Sequence, residues 1–249
     1  MVNIVITGAN EGIGYYLTEK LLADGHHVAV LDLRMENLRP LECDFPDRLL
    51  CFPADVRSEA AMEEAVEKIL ERFGTVDIAV HNACLCPFQK EEETDLSVYR
   101  QVFDVNYYGA LRLAKKVLPH MRAQRRGKIL FTSSGVGVTG FVGIAPYASA
   151  KGALEALAKC LNLEYSGDGV TFHVIHPPLT RTKSSAPLPV PGEFMADPRK
   201  VGYGIAKYLF SRRFVICPSL GQKLQVLACY WMPVRMGKLL AKMTAGCPK

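Results

Sequence analysis

Apolar residues fall along the chain in short unbroken runs, separated by longer stretches with helical periodicity. Seven runs read as strands: residues 2–7, 27–32, 49–52, 76–80, 128–132, 170–175 and 214–217. The spacing between them predicts helices near 14–23, 59–72, 96–121, 147–165 and 198–211. Strands that are apolar on both faces and alternate with helices imply a parallel sheet, because right-handed crossovers put helices on each side. The expectation is an α/β protein: a single-domain doubly wound Rossmann fold, with a seven-stranded parallel sheet and helices on both faces. It would occupy residues 1–218, with 219–249 as an amphipathic extension of the same domain.

Two segments break this rhythm. Residues 36–48 read as a plain connection. Residues 179–197 are rich in Pro, Ser and Thr, with Pro187, Pro189 and Pro191 spaced by two. This second segment follows the carboxyl end of a strand, where open α/β sheets bind ligands, and so reads as a lid.

Composition changes the picture little. Apolar residues make up 49% of 249 and charged residues 22%, which suits one sizeable core and argues against disorder. The net charge of +5 is mild, and its cluster at Arg122, Arg125, Arg126 and Lys128 reads as a solvated helix end. No nucleic-acid partner is expected from it. The first residues read directly as a strand, with no secretory pattern, and no apolar run has the length of a membrane span. The eight cysteines are scattered apart from Cys84 and Cys86, so the expectation is free thiols in a reducing cytoplasm and no metal.

Thr7-Gly8-Ala9-Asn10-Glu11-Gly12-Ile13-Gly14 joins the first strand to the first helix. Glycines there permit a tight turn, close approach to a pyrophosphate, and packing of helix on strand, while the helix end offers amides and a positive dipole. Gly8, Asn10, Glu11, Gly12, Ile13 and Gly14 are therefore candidate contacts of a dinucleotide. An acidic residue is expected about 20 residues downstream, and Asp32 stands there, followed by Leu33. A carboxylate accepts from the adenosine ribose and repels a 2′-phosphate, as Glu11 also would; Arg34 argues the other way. The balance favours NAD over NADP.

Tyr147-Ala148-Ser149-Ala150-Lys151 opens a helix and puts a tyrosine and a lysine on one face. An adjacent ammonium is expected to lower the phenol's pKa, making Tyr147 an acid–base group for an alcohol or ketone oxygen. Lys151 would also reach the ribose hydroxyls. The strand over 128–132 ends in Ser133-Ser134-Gly135, bringing a hydroxyl to the sheet's carboxyl edge.

With these elements in this order, the chain resembles the short-chain dehydrogenase/reductase family from Val2 to about Pro218. The resemblance implies a catalytic serine thirteen residues before the tyrosine, which selects Ser134 over Ser133. It implies that Ser134 polarises the substrate oxygen, Tyr147 is acid or base, and Lys151 binds ribose and tunes the tyrosine. Asn106, in Asp104-Val105-Asn106, matches an asparagine holding a proton-relay water. Asp55-Val56 resembles the family's adenine contact. His81-Asn82-Ala83-Cys84 resembles N-N-A-G, with Asn82 and Ala83 as cofactor contacts. His81 reads as structural, and Cys84 adds a side chain where the family has none. His176-Pro177-Pro178-Leu179-Thr180-Arg181-Thr182 resembles the family's segment beside the nicotinamide, implicating Pro177, Leu179 and Thr182, with Pro178 in place of glycine.

Candidate pocket residues Val136, Val138, Phe141, Ile144, Cys84, Cys86, Leu188, Phe194 and Met195 are largely apolar. They point to a small hydrophobic alcohol or ketone of steroid, fatty or sphingoid type. A 3-oxoacyl thioester reductase using NADP(H), and a non-catalytic dinucleotide sensor or scaffold, are the competing readings. The resemblance leads to the expectation of a homodimer or homotetramer. In the extension, Leu220, Leu224, Leu227, Trp231, Val234 and Leu239 recur near helical spacing among Lys223, Arg235, Lys238 and Lys242. Pro233 should interrupt any helix there. Packing on the domain or across a dimer is favoured over contact with a membrane surface.

Overall fold

The computed structural model describes residues 1–188 and 190–245. Seven parallel strands form one sheet: β1 (Asn3–Thr7), β2 (His27–Asp32), β3 (Leu49–Pro53), β4 (Ile78–His81), β5 (Gly127–Thr132), β6 (Val170–Ile175) and β7 (Val215–Ile216). Their order is β3-β2-β1-β4-β5-β6-β7. The chain winds outward from β1 to β3, then returns to pair β4 on the other side of β1, Thr7 facing both Leu31 and His81. That reversal opens a crevice at the carboxyl edge between β1 and β4, where ligands of open sheets sit.

The alternation of side chains shows why the strands are apolar throughout. Ile4 and Ile6 of β1 with Val28 and Val30 of β2 pack on one face, against Leu17 and Leu21 of α1 (Gly12–Ala23). The same layer holds α2 (Arg39–Asp44) and, further along the chain, Val201 and Ile205 of α8 (Pro198–Tyr208). Val5, Ala29, Leu31, Ala79 and Phe131 pack on the opposite face. There they meet α3 (Glu59–Phe73), α5 (Gly109–Ala123) and α7 (Ala145–Tyr165). With both faces covered, burial acts on odd and even residues of the central strands alike, as in Ile4 to Thr7 and Val28 to Leu31.

Two expectations change, over 36–48 and over 96–121, and the segment 179–197 takes a defined form. The connection over 36–48 contains α2: Pro40 sits in its first turn, and Leu38 and Leu41 are buried beneath it. The helix expected over 96–121 is divided into α4 (Leu96–Phe103) and α5 by one π turn, Asp104–Tyr108. At its centre the Asn106 amide binds the Leu85 backbone at both ends, Nδ2 donating to the carbonyl (3.0 Å) and Oδ1 accepting from the N–H (2.7 Å). The wider turn therefore coincides with the residue that clamps the Leu85 loop, as π turns often do at functional positions. Finally, residues 179–197 are a closed strap whose neck is pinned by Ala196 N donating to Leu179 O (2.8 Å) and Arg181 N to Ala196 O (3.0 Å). Pro189 lies outside the described residues.

Beyond β7 the chain forms α9 (Leu220–Trp231) and α10 (Pro233–Ala245), divided at Met232 with Pro233 in the first position of the second helix. Short α6 (Val136–Thr139), after β5, packs against α7, α9 and α10. Residues 246–249 lie outside the described part.

Candidate active site

The carboxyl edge opens into a cavity of about 610 Å³ that runs from the glycine loop to α9 and α10. At one end the backbone makes a close turn. Gly8 has φ +68°, and a Cβ on it would stand 2.5 Å from Ala83 Cα. A Cβ on Gly14 would stand 2.2 Å from the Gly8 carbonyl oxygen and 2.8 Å from Asn82 Nδ2. Asn82 locks this arrangement by donating from Nδ2 to the same carbonyl (2.7 Å). The glycines thus keep α1 and the β4 loop pressed onto the turn, leaving its concave side open to a ligand.

Asp32 sits at the end of β2. Its carboxylate accepts from Asn10 N (2.9 Å) and Arg34 N (3.2 Å), which aims it along the cavity rim. Asn10 does not line the cavity: its Oδ1 accepts from Asn37 N (3.0 Å), and its Nδ2 is buried without a partner. It braces the loop rather than facing a ligand, as Gly14 does. The remaining candidates of this set, Gly8, Glu11, Gly12, Ile13, Asp32, Leu33, Asp55, Val56, Asn82, Ala83, Pro177, Leu179 and Thr182, all border the cavity. The three basic residues at this end of the cavity are engaged. Arg34 pairs with Glu11 (3.5 Å) and Glu36 (3.8 Å), Arg57 with Asp55 (2.7 Å), and Lys183 with Glu11. The Lys183 pair ties the strap to the glycine loop. These residues fit a dinucleotide: an open cradle of backbone at the phosphate end, and a carboxylate at the ribose end.

At the other end, β5 delivers Ser133 and Ser134, and α7 delivers Tyr147 and Lys151. Ser134, Tyr147 and Lys151 border the cavity, and the Ser134 and Tyr147 hydroxyls are hydrogen-bonded to each other. Lys151 is buried, with Nζ donating to Thr132 O (2.7 Å) and standing 5.4 Å from the centre of the Tyr147 ring. Sequence reasoning expected the ammonium to pull the phenol down. Instead burial pushes the Tyr147 phenol well above its ordinary value, the Cys84 and Cys86 thiols add to this, and only the Ser134 hydrogen bond opposes it. Burial also pushes the Cys86 thiol up to about 12, keeping it neutral. The same desolvation lowers Lys151. His81 is buried and lies 3.0 Å from Thr7 Oγ1 through Nδ1; burial, followed by Lys151, holds its pKa down at about 3. It is a neutral structural histidine.

Asn106 is not at the cavity wall. Its side chain is spent on Leu85, so it shapes the loop carrying Cys84 and Cys86 instead of presenting its amide to a ligand. Of the apolar pocket candidates, Cys84, Cys86, Val136, Phe141, Ile144 and Leu188 line the cavity. Val138, Phe194 and Met195 do not: Phe194 is 68% exposed, and Met195 packs by its sulfur against Ser185 Oγ (3.8 Å). The far wall is made by residues that sequence reasoning missed, Gln222, Gln225, Val226, Cys229 and Leu240.

A second missed group lies behind Ser134, Tyr147 and Lys151. Glu155, one turn beyond Lys151, is 4% exposed. Its carboxylate accepts from Ser133 Oγ (2.7 Å) and Tyr230 OH (2.6 Å), and His176 Nε2 lies 3.0 Å away. Burial pushes Glu155 up, but its hydrogen-bonding partners outweigh that, and its pKa lies below the ordinary value. The signal available in the sequence was a glutamate four residues after Lys151, on a face that should be buried. This cluster separates the two serines: the Ser133 hydroxyl serves Glu155, while the Ser134 hydroxyl serves Tyr147.

A glycine-rich turn at the sheet's switch point thus shares one cavity with Ser134, Tyr147 and Lys151. The family model for short chain dehydrogenase matches residues 2–189, and the chain belongs to that family. It is 35% identical over 175 residues to L-fucose dehydrogenase of Mus musculus, covering 70% of this chain and 63% of that protein. It is 30% identical over 185 residues to 2-(R)-hydroxypropyl-CoM dehydrogenase of Xanthobacter autotrophicus, covering 72% and 74% of the two. A short-chain dehydrogenase structure from Streptomyces avermitilis superposes with a TM-score of 0.82 at 25% identity, over 100% of this chain and 99% of that one.

Proposed function

We propose that the protein transfers a hydride between a nicotinamide dinucleotide and a secondary alcohol or ketone carried on an apolar body. The observation that carries this reading is the single cavity in which Asp32 and the glycine loop lie at one end and Ser134, Tyr147 and Lys151 at the other. The bound nicotinamide supplies or accepts the hydride. Ser134 donates to the substrate oxygen and orients it. Tyr147, protonated at neutral pH because its hydroxyl is desolvated, gives its proton to a ketone oxygen, or takes one from an alcohol at higher pH. Lys151, anchored to Thr132 O, holds its charge beneath the tyrosine ring. Asn106 acts through the Leu85 loop it clamps, as a positioning residue.

The dinucleotide favoured is NAD. Asp32 and Glu11 present carboxylates at the cavity rim, which would repel a 2′-phosphate, and the cations beside them, Arg34, Arg57 and Lys183, are already paired with carboxylates. The substrate end is walled by Val136, Phe141, Ile144, Leu188, Val226 and Leu240, with glutamines as its polar lining. Such a wall favours a ligand that buries hydrocarbon over a charged sugar or acid.

The test is a panel of steroid, long-chain and acyl-thioester ketones, with sugars and hydroxy acids as controls, each assayed with NADH and NADPH. Turnover of apolar ketones with NADH, abolished in Tyr147→Phe, supports the reading. Turnover restricted to sugars or charged acids would overturn the substrate class, and full activity in Tyr147→Phe would overturn the mechanism.

A further inference from the structure

The outer face of the C-terminal helices is unlike the rest of the surface. Leu220, Leu224, Leu227 and Trp231 form one stripe along α9, each between 53% and 84% exposed. The i, i+4, i+7, i+11 spacing puts all four within a narrow arc, the width of a binding face. On α10, Val234 and Leu239 are also exposed, flanking the exposed Arg235, Lys238 and Lys242. A monomer leaves so many large apolar side chains in water only where something covers them.

Charge says what covers them. No aspartate or glutamate occurs after Asp197, while ten lysines and arginines do. In the rest of the chain the other twenty basic residues are outweighed by all twenty-five acidic ones, so the whole positive excess belongs to this C-terminal fifth. A second copy packed two-fold on the stripe would bring the Lys223, Arg235 and Lys238 cations of one copy against the equally basic helices of the other, with no carboxylate on either helix to pair them. An anionic lipid surface offers both hydrocarbon for the leucines and negative charge for the cations, and an exposed tryptophan suits the headgroup boundary.

We infer that α9 and α10 dock the protein onto an anionic bilayer surface, with the leucine–tryptophan stripe lying in the interface plane. No helix among the described residues is long and apolar enough to cross a membrane, so the contact is peripheral. The inner faces of the same helices supply Gln222, Gln225, Val226, Cys229 and Leu240 to the cavity wall. Docking therefore sets the substrate end of the cavity beside the phase in which apolar alcohols and ketones dissolve. This benefit of docking rests on the substrate class proposed above; the docking itself does not.

Trp231 is the chain's single tryptophan and is 84% exposed, so its fluorescence reports the contact directly. The full-length protein is titrated with vesicles of phosphatidylcholine alone, and with vesicles of equal parts phosphatidylcholine and phosphatidylglycerol. Blue-shifted, brighter emission and co-sedimentation are expected with the anionic vesicles, at a partition at least about tenfold above neutral ones and weakened by salt. Arg235→Glu/Lys238→Glu should bring binding to the neutral level, and Leu220→Ser/Leu224→Ser should abolish it, both with normal NADH binding and turnover of a water-soluble ketone. Absence of vesicle binding would overturn the inference. So would a dimer in sedimentation equilibrium that Leu220→Ser/Leu224→Ser dissociates, because the stripe would then be covered by a second copy. Neither readout depends on which substrate is turned over, so failure here and failure of the substrate assignment are separate results.

Discussion

Tyr230→Phe deletes one hydroxyl and keeps the ring, which makes it a clean probe of the cluster behind the active site. The lost bond is a 2.6 Å donation to a carboxylate that is almost fully enclosed. A hydrogen bond to a charged group contributes roughly 1.5–3 kcal/mol, so a loss of about 2 kcal/mol is expected. In a chain of this length that lowers Tm by about 4–8 °C. Glu155→Ala removes the acceptor from all its partners at once and should cost about 3–5 kcal/mol. The two changes share a bond, so the double variant should cost clearly less than their sum.

The acid limb supplies an independent check. Glu155 has a folded pKa below the ordinary 4.5, so its contribution is fully present above the unfolded value and is lost as pH falls through the folded one. Urea unfolding followed by circular dichroism should show a steady gap between the wild type and Glu155→Gln from neutral pH down to the carboxylate range. Below it the gap should close, because the wild-type carboxyl has taken up its proton. Additivity of Tyr230→Phe and Glu155→Ala, or a gap that persists unchanged in acid, would refute this account of the cluster.

Other expectations follow from the same geometry. Tyr147→Phe should lower kcat by about 10²–10⁴-fold, the usual contribution of a positioned acid–base group, while NADH binding measured by fluorescence stays within a few-fold of wild type. Because burial raises the phenol, alcohol oxidation should rise about tenfold per pH unit on the neutral-to-alkaline limb, whereas ketone reduction should be level around neutrality; profiles with the opposite signs would contradict the assignment. Gly14→Ala drives a methyl against the Gly8 carbonyl, backbone that cannot yield. It should cost about 1–3 kcal/mol in thermal unfolding and weaken dinucleotide binding in parallel. Asp32→Ser should move the ratio of kcat/KM values for NADPH over NADH upward by at least about tenfold; an unchanged ratio would show that Asp32 does not read the ribose.

The sequence by itself determined the layered α/β plan, because a parallel sheet buried on both faces leaves unbroken apolar runs such as Val5-Ile6 and Val28-Ala29-Val30. It also marked the glycine loop, Asp32, Tyr147 and Lys151 as candidates through local spacing at strand ends and along one helical face, while Ser134 was picked out from Ser133 by the family resemblance. It read the break at Pro233 correctly for the same local reason. What only the tertiary structure decided depends on contacts between residues distant along the chain. The π turn carries the Asn106 side chain that binds Leu85, and helical periodicity contains no trace of that bond. Glu155 is held by Ser133, His176 and Tyr230, contributed by the loops after β5 and β6 and by α9. The direction of the Tyr147 shift follows from enclosure by the Cys84 loop and the cavity walls, a desolvation that neighbouring charge in the sequence cannot foretell. The stripe on α9 has the same origin. Amphipathic spacing named its leucines, but which side of the helix met the domain, and which was left for a partner, was settled only when Val226 and Cys229 turned inward and Leu224 and Trp231 turned out.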